Sequence, residues 1–262
     1  MFMHVFLQLY NEQCLYRLKT PDHIGIHTPF YILNTPCLRE RRYNALNEIM
    51  KHRIVDSTFV FCADAAILKK MNTTLLHPGL VQTKWSKAGS FLKTGTLSLA
   101  LKHMIAAYDI YIRGLSYAVV MEDDAIYVDN FQMELEYIIK NTPKDANIFH
   151  LGSYSRINQR FNSYPIYTGS IHIRKNSSWI VGATSYILFR KSCLDLIHPV
   201  IAPADISFSL QQFPIYAPEP TYGGTHFQSW PNASLKGGSH TITQKCDIDE
   251  FFAKIRYGHG FL

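Results

Sequence analysis

Tyr117-Ala118-Val119-Val120-Met121-Glu122-Asp123-Asp124 is an apolar run that stops on three carboxylates. An unbroken run of this kind reads as a strand buried on both faces, the usual state of a strand in a helix-covered sheet. In such sheets ligands bind just past the carboxyl ends of the strands. Three adjacent carboxylates repel one another, so either a divalent cation or a solvated turn accounts for them. In extended chain alternate side chains share a face, which sets Glu122 and Asp124 together and turns Asp123 away into a supporting role. Mg²⁺ or Mn²⁺ suits that pair, because such ions take oxygen ligands, usually one or two carboxylates, and fill their shell with water and substrate phosphates.

Working outward, Leu97, Leu101, Ile105, Tyr108 and Ile112 recur at helical spacing between Gly95 and Gly114, which predicts a helix ending at that glycine. Phe30-Tyr31-Ile32-Leu33 reads as a first strand and Thr35-Pro36 as a turn. A helix over 38–52 follows, with Leu38, Leu46, Ile49 and Met50 on one side. A strand from Thr58 to Ala63 ends at Asp64. Residues 65–93 carry no sustained period and read as loop with short helices. Downstream, a helix over 131–140 and strands over 147–151 and 179–189 precede a Pro-, Gly- and aromatic-rich region over 199–238. No repeat or charged linker divides the chain. The expectation is one α/β domain with a central mixed, mostly parallel sheet flanked by helices.

The 262 residues are 47% hydrophobic and 18% charged, a globular balance. A net charge of +6 suits an anionic partner, yet the only tight basic cluster is Arg39, Arg41 and Arg42, which reads as a solvated helix face. No basic-aromatic repeat or helix-turn-helix pattern points to nucleic acid. Five widely spaced cysteines with no CxxC pair read as buried reduced thiols rather than a zinc site or disulfide framework. No apolar run reaches about 18 residues, and residues 1–10 lack a basic leader, so neither a transmembrane segment nor a signal peptide is expected. The default location is cytoplasmic, with peripheral membrane association as the variant. Sequons at Asn72, Asn176 and Asn232 matter only in a secretory pathway.

Several of these segments resemble glycosyltransferase family 25, the bacterial lipooligosaccharide and collagen galactosyltransferases. Ile32-Leu33-Asn34 and Arg39-Glu40-Arg41-Arg42 resemble the family's first strand and basic helix. Ala63-Asp64 matches the residues after its second strand, and Glu122-Asp123-Asp124-Ala125 with Phe131 matches its acidic motif. Gly95 to His103 keeps the outer Gly and His of a third motif and loses the residues between. Gly182-Ala183-Thr184-Ser185-Tyr186 and Pro203-Ala204-Asp205 are similar to two later motifs.

The resemblance implies a GT-A fold, with a donor-binding half over about 30–152 and an acceptor half over about 153–262. It further implies inverting, metal-dependent transfer of a hexose, galactose or glucose, from a UDP-sugar to a glycan, lipid-linked or protein hydroxyl. Asn34, Arg42, Ala63, Asp64, Glu122 and Asp123 are then the candidates for the donor nucleotide. Glu122, Asp124 and His226 are those for Mn²⁺ or Mg²⁺, with His240 as the other histidine. Asp205 is the candidate base, since inversion needs a group to take the acceptor proton; the same residue also suits an N-cap. For Arg42 a helix-surface role and for His103 helix packing are the plainer readings. A nucleotidyltransferase or phosphohydrolase, or a non-catalytic carbohydrate-binding relative, are the competing functions.

Overall fold

The computed structural model describes residues 2–10, 14–20, 24–65, 68, 94–127, 129–154, 173–175, 181–200, 214–218 and 227–229. In chain order these form α1 (Phe2–Leu9), β1 (Leu15–Lys19), β2 (Phe30–Leu33), α2 (Arg39–Lys51), β3 (Asp56–Val60) and α3 (Thr94–Ile112). Next come β4 (Tyr117–Glu122), β5 (Ala125–Tyr127), α4 (Phe131–Asn141), β6 (Ile148–Tyr154), β7 (Ile173–Lys175), β8 (Val181–Phe189), β9 (Ile215–Pro218) and β10 (Phe227–Ser229).

One sheet runs in the order β1-β3-β2-β4-β8-β6-β9-β7, and β5 pairs with β10 in a separate ribbon. The sheet is mixed. Parallel pairing joins β2 to both β3 and β4 and recurs at β6 and β9, while β1, β8 and β7 run antiparallel to their neighbours. The parallel trio β3-β2-β4 therefore opens its carboxyl ends on one edge.

The apolar runs explain the centre. All four residues of β2 are buried, as are Ala118 to Met121 of β4. On one face Tyr31 reaches the buried Asp109 of α3. On the other, Phe30 packs edge-on against Tyr127 and Phe131, whose rings stack 3.9 Å apart. Helix α3 spans the expected stretch, and Gly114 at φ 69° ends it in the left-handed conformation that glycine adopts without penalty.

The structure departs from the sequence reading in four places. The edge strand β1 and helix α1 were not anticipated; β1 alternates burial along only five residues, too short for a period to stand out. Helix α2 turns Arg42, Ala45, Leu46, Glu48 and Ile49 inward and leaves Met50 67% exposed, so Met50 is not part of its buried face. Strand β3 stops at Val60, and the chain then turns through Ala63, whose φ is 53°. Finally, the thiols are not all reduced. Cys14 and Cys62 form a disulfide across 48 residues, Cys37 is also disulfide-bonded, and among the described cysteines Cys193 is free and buried. The antiparallel β1–β3 pairing continues into a Phe61 N–H to Cys14 carbonyl bond of 3.1 Å, which sets the two cysteines side by side. Spacing along the chain carries no trace of that meeting. No described helix is long and apolar enough to cross a membrane.

Candidate active site at the carboxyl ends of the parallel strands

Asn34 follows β2, Asp64 lies just beyond β3, and Glu122-Asp123-Asp124 closes β4. Parallel register brings Leu33 opposite both Val60 and Glu122, so these segments share one edge of the sheet. Burial alternates along the acidic triplet, although β4 ends at Glu122 and Asp123-Asp124 form a turn rather than extended chain. Glu122 and Asp124 are half-buried and flank Asp123, which is 4% exposed. Asp123 turns into the protein, where Asn34 Nδ2 donates to its Oδ2 at 2.6 Å and Arg41 Nη1 to its Oδ1 at 3.2 Å. Burial pushes its carboxyl up to about 6, with Asp124 adding to the rise and Arg41 and Asn34 opposing it.

Helix α2 holds this corner along one stripe. Arg41 pairs with Asp123 and, at 3.4 Å, with Asp124. Asn44 donates to the Asp123 carbonyl at 3.3 Å, and Glu48 accepts the Tyr127 N–H at 2.8 Å. Lys51 meets Asp129 at 2.7 Å. These residues recur every three or four positions and so lie on one helix face. The basic cluster is thus not merely a solvated surface. Arg42 is 4% exposed, its Nη1 donates to the Pro36 carbonyl at 2.9 Å, and burial followed by Arg39 lowers its pKa.

Beneath the corner, Lys102 of α3 is 2% exposed. Its ammonium donates to the Asn34 carbonyl and stands 3.8 Å from Asp64 Oδ2. Burial lowers its pKa, with Asp64 and then Asp123 opposing the shift. Ala63, buried at positive φ beside the fully buried Asp64, is a backbone outlier of the kind that costs about 1–3 kcal/mol and clusters at ligand sites.

His103, the next residue on α3, belongs to the core. Its Nδ1 lies 2.8 Å from the Tyr186 hydroxyl and the two rings stack. Burial, and then His150, push its pKa down to about 3, so it is a neutral packing residue.

The donor types at the corner fit a hard divalent cation. Asp124 Oδ1 is buried with no hydrogen-bond partner among the described residues, and the half-buried Glu122 ends β4 two residues before it. No group of three or more His, Cys, Asp or Glu converges among the described residues. The expected third ligand His226, its rival His240 and the candidate base Asp205 lie outside the described residues. Strand β10, which begins right after His226, pairs Ser229 with Ala125 and so returns the C-terminal chain to the residue beside Asp124.

Sequence reasoning missed Arg41 as an individual, Asn44 and Lys102. A polar stripe at positions 41, 44 and 48 was the available signal for the first two. For Lys102, the signal was a single lysine between apolar positions of a mostly apolar helix.

Two curated proteins match this chain. The "Probable inactive glycosyltransferase 25 family member 3" of Rattus norvegicus is 31% identical over 126 residues, 47% of this chain and 21% of that protein. Its Bos taurus counterpart of the same name is 28% identical over 140 residues, 51% of this chain and 23% of that protein. Over about half its length the chain is thus similar to members of glycosyltransferase family 25. No family model matches the chain, and its matched stretch makes up only about a fifth of the length of those relatives.

Proposed function

We propose that this chain is a family 25 glycosyltransferase of GT-A type that binds a UDP-sugar at the carboxyl ends of β3, β2 and β4. In this reading it passes the hexose, galactose or glucose, with inversion to a hydroxyl of a glycan, lipid-linked or protein acceptor. The observation that carries the reading is the acidic corner itself: Asp124 Oδ1 buried without a partner, next to Glu122, at the edge where α/β folds bind ligands. Glu122 and Asp124, completed by His226, would hold Mn²⁺ or Mg²⁺, which supplies charge neutralisation for the departing diphosphate. Asn34, Asp64 and Asp123 shape the floor on which the nucleotide rests, and Asp205 takes the acceptor proton.

One observation favours a second reading. Arg41 already supplies a counter-charge to Asp123 and Asp124, and both matched relatives are named probable inactive, which fits a domain that keeps the donor fold without transferring sugar. A panel of nucleoside diphosphate sugars with Mn²⁺ or Mg²⁺, read by thermal shift and nucleoside diphosphate release, decides between them. Metal-dependent stabilisation by one donor, lost in Asp124→Ala and accompanied by release, supports the transferase. Stabilisation with no release under any acceptor supports the non-catalytic relative, and folded protein that binds no donor refutes both.

A further inference from the structure

We infer that Arg41 is the residue that recognises the diphosphate of the donor, an inference that rests on the donor-site reading above. Its guanidinium meets both carboxylates through a single nitrogen, Nη1, at 3.2 Å from Asp123 and 3.4 Å from Asp124. Nε and Nη2 make no hydrogen bond among the described residues, and the side chain keeps 25% of its surface exposed. A guanidinium engaged through Nη1 alone retains its Nε–Nη2 edge, the pair of parallel N–H donors that matches two oxygens of one phosphate.

The two buried basic residues nearby do not offer this. Arg42 is buried and bonded to the Pro36 carbonyl, and Lys102 is buried against Asn34 and Asp64. Asp123 and Asp124 fix the Arg41 head group before any ligand arrives, so the ordering of a long side chain is already complete when phosphate binds. Burial lowers the Arg41 pKa, yet the attraction of Asp123, Asp124 and Glu122 outweighs it, so the group stays charged at any working pH.

Ordinary ion pairing would also place an arginine here, so the test separates charge from shape. Arg41→Lys keeps the charge that neutralises Asp123 and Asp124 but has no planar edge. Affinities are measured by calorimetry for inorganic pyrophosphate, UDP and uridine, all with Mg²⁺, together with Mn²⁺ alone and the melting temperature. The expectation is an unchanged melting temperature and Mn²⁺ affinity. Binding of pyrophosphate and UDP weakens by about tenfold or more, the worth of a charged hydrogen bond, while any uridine affinity is unaltered. Arg41→Gln gives a loss at least as large, and its stability is checked in the same way. If wild-type protein binds UDP and Arg41→Lys binds it equally well, the inference is overturned and the donor site stands. If wild-type protein binds neither pyrophosphate nor any nucleoside diphosphate, the donor site falls and the inference with it.

Discussion

Asp109 and Asp123 are both buried, Asp109 on α3 against Tyr31 of β2 and Asp123 just past the end of β4. Asp109 is surrounded by committed partners. The Tyr31 hydroxyl donates to it at 2.6 Å, the Tyr10 hydroxyl at 2.9 Å and Arg17 at 3.0 Å, while Arg113 lies 3.8 Å away and also reaches Tyr31 and Asp56. Asp123 has one amide and one shared guanidinium, and its neighbour Asp124 keeps an oxygen without a partner. The first arrangement ties α1, β1, β2 and α3 together. The second leaves donors and acceptors unspent. A buried carboxylate is a fastener where its surroundings are saturated and part of a site where they are not.

That contrast breaks first at Asp109. Asp109→Ala should cost about 3–5 kcal/mol in chemical denaturation, because it strands a cluster of buried donors. A loss below about 1 kcal/mol would show that the network fastens nothing. Opening the Cys14–Cys62 bond by the double change to serine should cost about 4 kcal/mol, the loop-entropy value for a closure of 48 residues. The loss should appear equally with and without nucleotide, since β1 contributes no side chain to the acidic corner.

Lys102→Met should cost less, about 2–3 kcal/mol, by leaving the buried Asp64 without its cation. Unlike the first two changes, it should also weaken nucleotide binding, which thermal shift would detect. The smallest effect is in pH. Because Asp123 titrates near 6 when folded and at 3.8 as a free side chain, the folded state holds the extra proton between those values. In the presence of EDTA, stability should therefore fall by about 1–3 kcal/mol as pH rises from 4 to 6, a slope that Asp123→Asn removes. A slope retained in that variant would assign the proton elsewhere.

The central elements were legible because their burial is local. A strand covered on both faces must be apolar throughout, as β2 and β4 are, and α3 repeats its buried side chains at helical spacing. The acidic triplet alternates in burial as extended chain would, yet Asp123 and Asp124 lie in the turn after β4, where strand geometry no longer sets their direction. What stayed hidden depends on partners distant in sequence. Arg41 and Arg42 look alike in the chain, yet Pro36 captures one and the acidic turn captures the other. Lys102 acquires a role only because α3 passes the residues that follow β2 and β3, Asn34 and Asp64. Edge strand β1 and its disulfide depend on pairing with β3, which a short alternating segment does not announce.

The Cys14–Cys62 bond also records a history. Such a bond closes where the surroundings accept electrons and stays open where glutathione and thioredoxin hold thiols reduced. The oxidation state of these two residues in protein taken from its native source, read by alkylation and mass, therefore reports the compartment in which the chain matured. A closed bond would remove the cytoplasm as that compartment, and would make Asn72, Asn176 and Asn232 eligible for glycans.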